Sequence, residues 1–194
     1  MAKLPKCYVQ HTREVLLPNC KDASEYCNRV YHLSLPSILC DRYSTGNDGY
    51  PNQDIRGGEE EDGNQDDFFE GEYRDVGTIP MVFALPSLGT NPQHIVRYSK
   101  AADEYNFVFV VPEGINRSFN AGYCCGDTHK FGIHDVDFLF HIQQLLKDKF
   151  SFVRPEYSYG VGWDNGGLLL GEELIESPQL FKAIVPIAGF STRT

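Results

Sequence analysis

The residues most able to do chemistry fall in one octapeptide, Gly160-Val161-Gly162-Trp163-Asp164-Asn165-Gly166-Gly167. Asp164 is its centre, with Gly162 two residues before it and Gly166 two residues after. Small residues at that spacing let a chain turn sharply from a strand into a helix and lift the central side chain above the sheet, where it can act as a nucleophile at a helix N-terminus. By itself the octapeptide reads more simply as a glycine-rich turn capped by Asp164 or Asn165, since both residue types are good N-caps. His134 and Asp135 stand together at the start of an apolar-periodic stretch, where a cap or a buried network is the simpler role and a general base the sharper one. His94, His129 and His141 are isolated, with no partner at the spacing of a metal site or a triad. No metal site and no cofactor is expected.

Six cysteines form two sets, Cys7, Cys20, Cys27 and Cys40 near the start and the adjacent Cys124 and Cys125 later. An even number suits disulfides in an oxidising compartment, with buried free thiols as the other reading; spacing does not choose a pairing. Intervals of twelve, six and twelve residues in the first set lack the close pairs that zinc needs. Asn116-Arg117-Ser118 is a glycosylation sequon, which agrees with an extracellular or secretory-pathway location, although Met1 to Cys7 holds no apolar signal core.

The elements that must position these residues are legible from the rest of the chain. At 194 residues, 41% hydrophobic and 13% aromatic, the chain can bury the core of one domain. Its formal charge of -10 is concentrated: between Asn47 and Glu72 there are ten acidic residues and one arginine, net -9, so the remainder is almost neutral. No basic stripe exists to gather phosphates, which argues against nucleic acid and anionic membranes, and no apolar run is long enough to cross a bilayer. The acidic stretch reads as a solvated loop. Within it Asp62 to Asp66 resembles the start of a calcium loop, but Asp67 replaces the required glycine and Tyr73 stands where the bidentate acid belongs.

Residues 1–79 form an N-terminal cysteine-containing segment with the acidic loop 47–72 and early antiparallel strands, Arg29 to Leu35 being the best candidate by alternation. Residues 80–194 form the core. There short apolar runs alternate with helical periodicity, the pattern of strands crossing through helices in a parallel sheet. Met81 to Leu85, Phe107 to Val111, Tyr157 to Val161 and Ala183 to Ile187 read as strands, with Pro112 stopping the second. Ile95 to Tyr105 and Leu168 to Ile175 read as helices, and Val136, Leu139, Phe140, Ile142, Leu145 and Leu146 place an apolar stripe on a third.

The order of these features resembles the esterase family containing polyhydroxybutyrate depolymerases and feruloyl esterases. The resemblance spans roughly residues 80 to 190. It rests on Leu85-Pro86-Ser87, Val110-Val111-Pro112-Glu113-Gly114, Phe119-Asn120-Ala121-Gly122-Tyr123-Cys124-Cys125-Gly126, His134-Asp135-Val136-Asp137-Phe138, the octapeptide's Gly162 to Gly167, and Phe181 to Gly189. It implies an α/β-hydrolase fold, a mostly parallel sheet with helices on both faces. Residues Gly162, Trp163, Gly166 and Gly167 would then form the bend, with Asp164 at the nucleophile and Pro86, Ser87 and Asn165 at the oxyanion position. It also makes Asp135 a structural residue.

The departures fall where such a family does its catalysis. Serine attacks an ester carbonyl after histidine takes its proton, whereas the carboxylate of Asp164 would leave an acid anhydride. Pro86-Ser87 replaces the family's His-Gly, and proline has no N–H to donate to an oxyanion. In chain order the acid and histidine follow the nucleophile, beyond the sixth strand at which this sequence stops, so the fold is expected to be incomplete at the C-terminus and to leave a sheet edge that a protein partner covers. The expectation is a catalytically degenerate esterase-like hydrolase with a structural or binding role in an assembly. The alternative is a hydrolase acting on esters, or through Asp164 at saturated carbon, with acid and histidine supplied by a missing segment or another chain.

Overall fold

Alternation along the strands sorts the apolar residues into two layers. In β3 (Ile79–Leu85), Met81, Phe83 and Leu85 enter one cluster while Val82 and Ala84 enter another. In β4 (Val108–Pro112), Val108 and Val110 join the first cluster, and Phe109 and Val111 the second. Successive side chains of a strand point to opposite faces, so a sheet apolar at every position must be covered on both sides.

A computed structural model describes residues 9–16, 28–39 and 77–189. Six strands form one sheet in the order β1-β2-β4-β3-β5-β6, where β1 is Val9–Leu16, β2 Asn28–Leu35, β5 Val153–Trp163 and β6 Ala183–Ile187. The pairs β1–β2 and β2–β4 are antiparallel; β4–β3, β3–β5 and β5–β6 are parallel. A 3₁₀ turn, Ser37–Leu39, follows β2. This is the mostly parallel sheet that the sequence implies, and β2 extends the expected Arg29 to Leu35 by one residue. The acidic loop, its calcium-loop-like segment and the first four cysteines lie outside the described residues.

The crossover β3→β4 runs one way across the sheet, whereas β4→β5 and β5→β6 run the other. Right-handed connections must then place their helices on opposite faces. Accordingly α1 (Gln93–Val96) and α2 (Ser99–Tyr105) bury Ile95, Val96 and Ala102 in the second cluster. On the other face α4 (Asp135–Lys149) and α5 (Asn165–Glu176) bury Phe138, Leu139, Ile142, Leu146, Leu169 and Leu170 in the first; a short α3 (Gly126–Lys130) precedes them.

Two elements differ from the sequence reading for local reasons. The single helix expected over Ile95 to Tyr105 divides at Tyr98, whose N–H bonds to Ile95 O only three residues back (2.9 Å) and whose ψ of 0° lies outside the helical range. The strand expected at Tyr157 begins at Val153, because the register with β3 slips between Ile79 and Met81 and the extra residues, Pro155 among them, sit in that irregularity.

A buried ion pair ties the antiparallel margin to the helical layer. Arg29 Nη2 on β2 donates to Asp135 Oδ1 at 2.6 Å, with the two side chains 1% and 0% exposed. The same nitrogen donates to Glu113 O at 3.2 Å, and the guanidinium lies 4.0 Å from the centre of the Phe138 ring. Asp135 Oδ2 accepts the Asn120 N–H at 2.6 Å. Burial pushes the Asp135 carboxyl up from its ordinary range, opposed by the Arg29 charge and the Asn120 N–H. Asp135 is thus part of a buried network, the simpler of its two sequence readings. Asp135→Ala is expected to cost about 3–5 kcal/mol by leaving the Arg29 charge buried and unpaired. The double variant Arg29→Met with Asp135→Leu should recover much of that loss in urea unfolding.

Candidate functional site

On the sheet β4 lies to one side of β3 and β5 to the other, so the chain reverses its direction of travel between β3 and β5. At such a point the loops leaving the carboxyl ends of the two strands diverge and open a crevice, the usual ligand position in open α/β sheets. The loop after β3 begins at Pro86; the loop after β5 is the single residue Asp164.

Asp164 has φ 47°, a left-handed conformation that costs about 1 kcal/mol and that Asp tolerates better than most residues. Its N–H donates to Ile187 O at 2.8 Å and its carbonyl accepts the Leu168 N–H at 2.9 Å, so one residue closes β6 to β5 and starts α5. The bend is possible because Gly162 and Gly166 have no side chain. A Cβ on Gly162 would overlap Gly166 O, and one on Gly166 would overlap Leu85 O. Trp163, the last residue of β5, packs on the α1/α2 face instead of into the crevice.

The side chain of Asp164 is exposed, and its Oδ2 accepts the Leu88 backbone N–H at 3.3 Å. Among the described residues no other hydrogen bond is made to this carboxylate, by a histidine or any other group. Sequence reasoning missed Leu88. The sequence sets Pro86, which has no N–H, and Ser87 at the oxyanion position; Pro86 is buried, and the N–H that reaches Asp164 is that of Leu88. A backbone donor leaves no mark in residue types, so only the length of the loop could have pointed to it.

Asn165 turns its amide away from the crevice. Its Oδ1 accepts the Phe119 N–H at 2.7 Å and its Nδ2 donates to Phe119 O at 2.9 Å, with the residue wholly buried. The side chain therefore does not cap α5; it clamps the loop that leads from β4 to α3. That loop also accepts the Gly89 N–H at Arg117 O (2.8 Å), which joins it to the loop after β3. The adjacent Asn120 N–H goes to Asp135.

The remaining candidates surround this loop without meeting Asp164. Asn116 is exposed at φ 49° and donates from Nδ2 to Asp127 Oδ2 at 2.9 Å, while Ser118 of the same sequon is buried and hydrogen-bonded to Ile115 O and Thr128. The sulfurs of Cys124 and Cys125 are in close contact with each other. His129 Nδ1 lies 3.3 Å from Asn120 Oδ1; His94 and His141 stand apart on α1 and α4. His134 is the residue before α4 and makes no side-chain cap. Among the described residues no group of three His, Cys, Asp or Glu could hold a metal ion, and no helix is long and apolar enough to span a membrane.

No protein-family model matches the chain, and no curated protein does. Solved structures do. The fluorophosphonate-binding serine hydrolase F of Staphylococcus aureus, with substrate bound, is similar over 93% of this chain with a TM-score of 0.56 and 12% identity. Acetyl xylan esterase from Aspergillus awamori is similar over 90% with a TM-score of 0.54 and 11% identity, and a ferulic acid esterase over 93% with 0.50 and 12%. The chain spans 57%, 50% and 58% of these three proteins' own lengths. At such identities the likeness carries the fold alone, which is that of the α/β-hydrolases.

The clamp and the bend are separately testable by stability. Asn165→Ala, which strands the buried Phe119 N–H and C=O, is expected to cost about 2–3 kcal/mol in denaturant unfolding. Gly162→Ala should cost at least about 1–3 kcal/mol, because the added Cβ meets backbone and not a side chain that can move. Neutral effects from both would mean that the turn is looser than described.

Proposed function

We propose that this α/β-hydrolase scaffold is catalytically degenerate, an esterase-like chain that serves a structural or binding role in an assembly. One observation carries the reading: the Asp164 carboxylate accepts the Leu88 N–H, from the loop after β3. In serine hydrolases of this fold an N–H from that loop helps to hold the oxyanion of the tetrahedral intermediate. Here a carboxylate occupies the donor, and its charge opposes a second anion beside it. Attack by the same carboxylate on an ester would form an anhydride, a worse intermediate than the acyl-serine it replaces.

The assembly role draws on an open part of the sheet. Tyr159, Val161 and Trp163 of β5 stand opposite Ala183, Val185 and Ile187 of β6. Val161 and Trp163 pack with the α1/α2 layer, whereas Ile184 packs with the opposite layer, which puts Val185 and Ile187 on the α1/α2 face. Those two side chains are 56% and 38% exposed, an unusual state for sheet residues of this type. A protein partner over this margin is the occupant that we infer, in the oxidising, extracellular setting to which the cysteines and the Asn116 sequon point.

A second reading rests on the exposed Asp164 carboxylate on an intact bend. It could displace a leaving group at saturated carbon, or serve ester hydrolysis, with acid and histidine contributed by a further segment or another chain.

Two measurements test the proposal. With a chromogenic short-chain ester, the purified chain and Asp164→Ala are expected to show no turnover above buffer; turnover by the unmodified chain that disappears in Asp164→Ala overturns the degenerate reading. In light scattering, the unmodified chain is expected to form particles larger than one chain, and Val185→Asp to reduce their mass. A particle of one chain's mass, unchanged by Val185→Asp, would rule out a second copy of this chain as that partner.

A further inference from the structure

We propose that Thr12, His32 and Glu113 form a second site, separate from the bend at Asp164, in which Thr12 accepts an acyl group from an activated ester. The ladder register places Thr12 directly opposite His32 on β1 and β2, and Thr12 Oγ1 lies 3.0 Å from His32 Nδ1. On the other side of the ring His32 Nε2 lies 2.5 Å from Glu113 Oε1, just beyond β4. A hydroxyl, an imidazole and a carboxylate are thus joined in series across three strands.

Thr12 is exposed, the His32 side chain is 7% exposed, and the Glu113 side chain is 34% exposed. An ionised carboxylate only accepts hydrogen bonds, so Glu113 takes Nε2–H and selects the tautomer whose Nδ1 lone pair faces the Thr12 hydroxyl. Nucleophile, base and orienting acid within hydrogen-bond reach of one another are the signature of an activated hydroxyl. The nitrogens are used in the reverse sense to a serine triad, which leaves the proton logic unchanged.

In the step proposed, Thr12 Oγ forms a bond to the acyl carbon as its proton passes to His32 Nδ1. The ester C–O bond breaks and the alcohol leaves as its anion. The imidazolium, held by Glu113, then returns its proton to solvent. Among the described residues no group beside Thr12 is placed to protonate a poor leaving group, so the donors proposed are activated acyl compounds such as phenyl esters.

The probe is p-nitrophenyl acetate, with release of nitrophenolate followed by absorbance and the acetylated peptide identified by mass spectrometry after digestion. One equivalent of nitrophenolate, and an acetyl group on the peptide carrying Thr12, is the expected result. Thr12→Ser should retain the label and Thr12→Val should lose it. His32→Gln and Glu113→Gln keep hydrogen-bonding groups in place, and His32→Gln should slow acetylation by about 10²-fold, the usual scale of general-base assistance. Far-ultraviolet circular dichroism and thermal melts establish that each variant is folded. Acetyl groups confined to lysines or the N-terminus, or a Thr12 label formed equally fast in His32→Gln, would overturn the proposal. An acetyl group on the peptide carrying Asp164 would instead count against the degenerate reading of the bend, so the two failures are distinguishable.

Discussion

Backbone passing over backbone at the β5–α5 bend is the constraint on which the crevice depends. Gly162, Gly166 and Gly189 lie where a Cβ would overlap the carbonyl oxygen of Gly166, Leu85 or Asp164. With those side chains absent, the first turn of α5 sits close against the ends of β3, β5 and β6. Three consequences follow from that closeness: Asp164 is held upright, its carboxylate reaches the loop after β3, and Leu169 and Leu170 drop into the core. A looser turn would disturb all three together, because they share this one approach of backbone to backbone.

Topology then decides what the upright side chain faces. Reversal of the winding direction between β3 and β5 opens the crevice, and Asp164 stands in it beside the Leu88 N–H. The same reversal puts α1 and α2 on one face and α4 and α5 on the other. On the first of these faces Val185 and Ile187 of β6 are exposed among the described residues.

The sequence made the core strands and the bend readable because their signals are local. Phe107 to Val111 and Ala183 to Ile187 are short and apolar, and the stripe on α4 repeats at helical spacing; the first strand is displaced by one residue, with Pro112, expected to stop it, paired with Tyr31 as its last residue. Gly162 and Gly166 frame Asp164 within five residues of chain. What escaped the reading is either nonlocal or carried by backbone. Leu88 acts through its N–H, which every residue but proline has. Asn165 looked like a cap because caps and clamps use the same amide, and only the position of Phe119, 46 residues away, separates them. The pair of Arg29 with Asp135 bridges 106 residues, and that of His32 with Glu113 bridges 81; neither spacing obeys a period that a single sequence can display. The irregular start of β5 was hidden by Pro155, which ordinarily ends a strand.

Two neighbouring amides turn the β4–α3 loop into a hinge pin between distant parts of the molecule. Phe119 N–H is held by Asn165 at the root of α5, and Asn120 N–H by Asp135, whose other oxygen holds Arg29 on β2. A hairpin at the margin of a sheet usually frays on its own. Here, detaching β2 would uncover a charge at the start of α4 and slacken the loop that walls the crevice, so opening at the margin and opening at the centre belong to one cooperative unit.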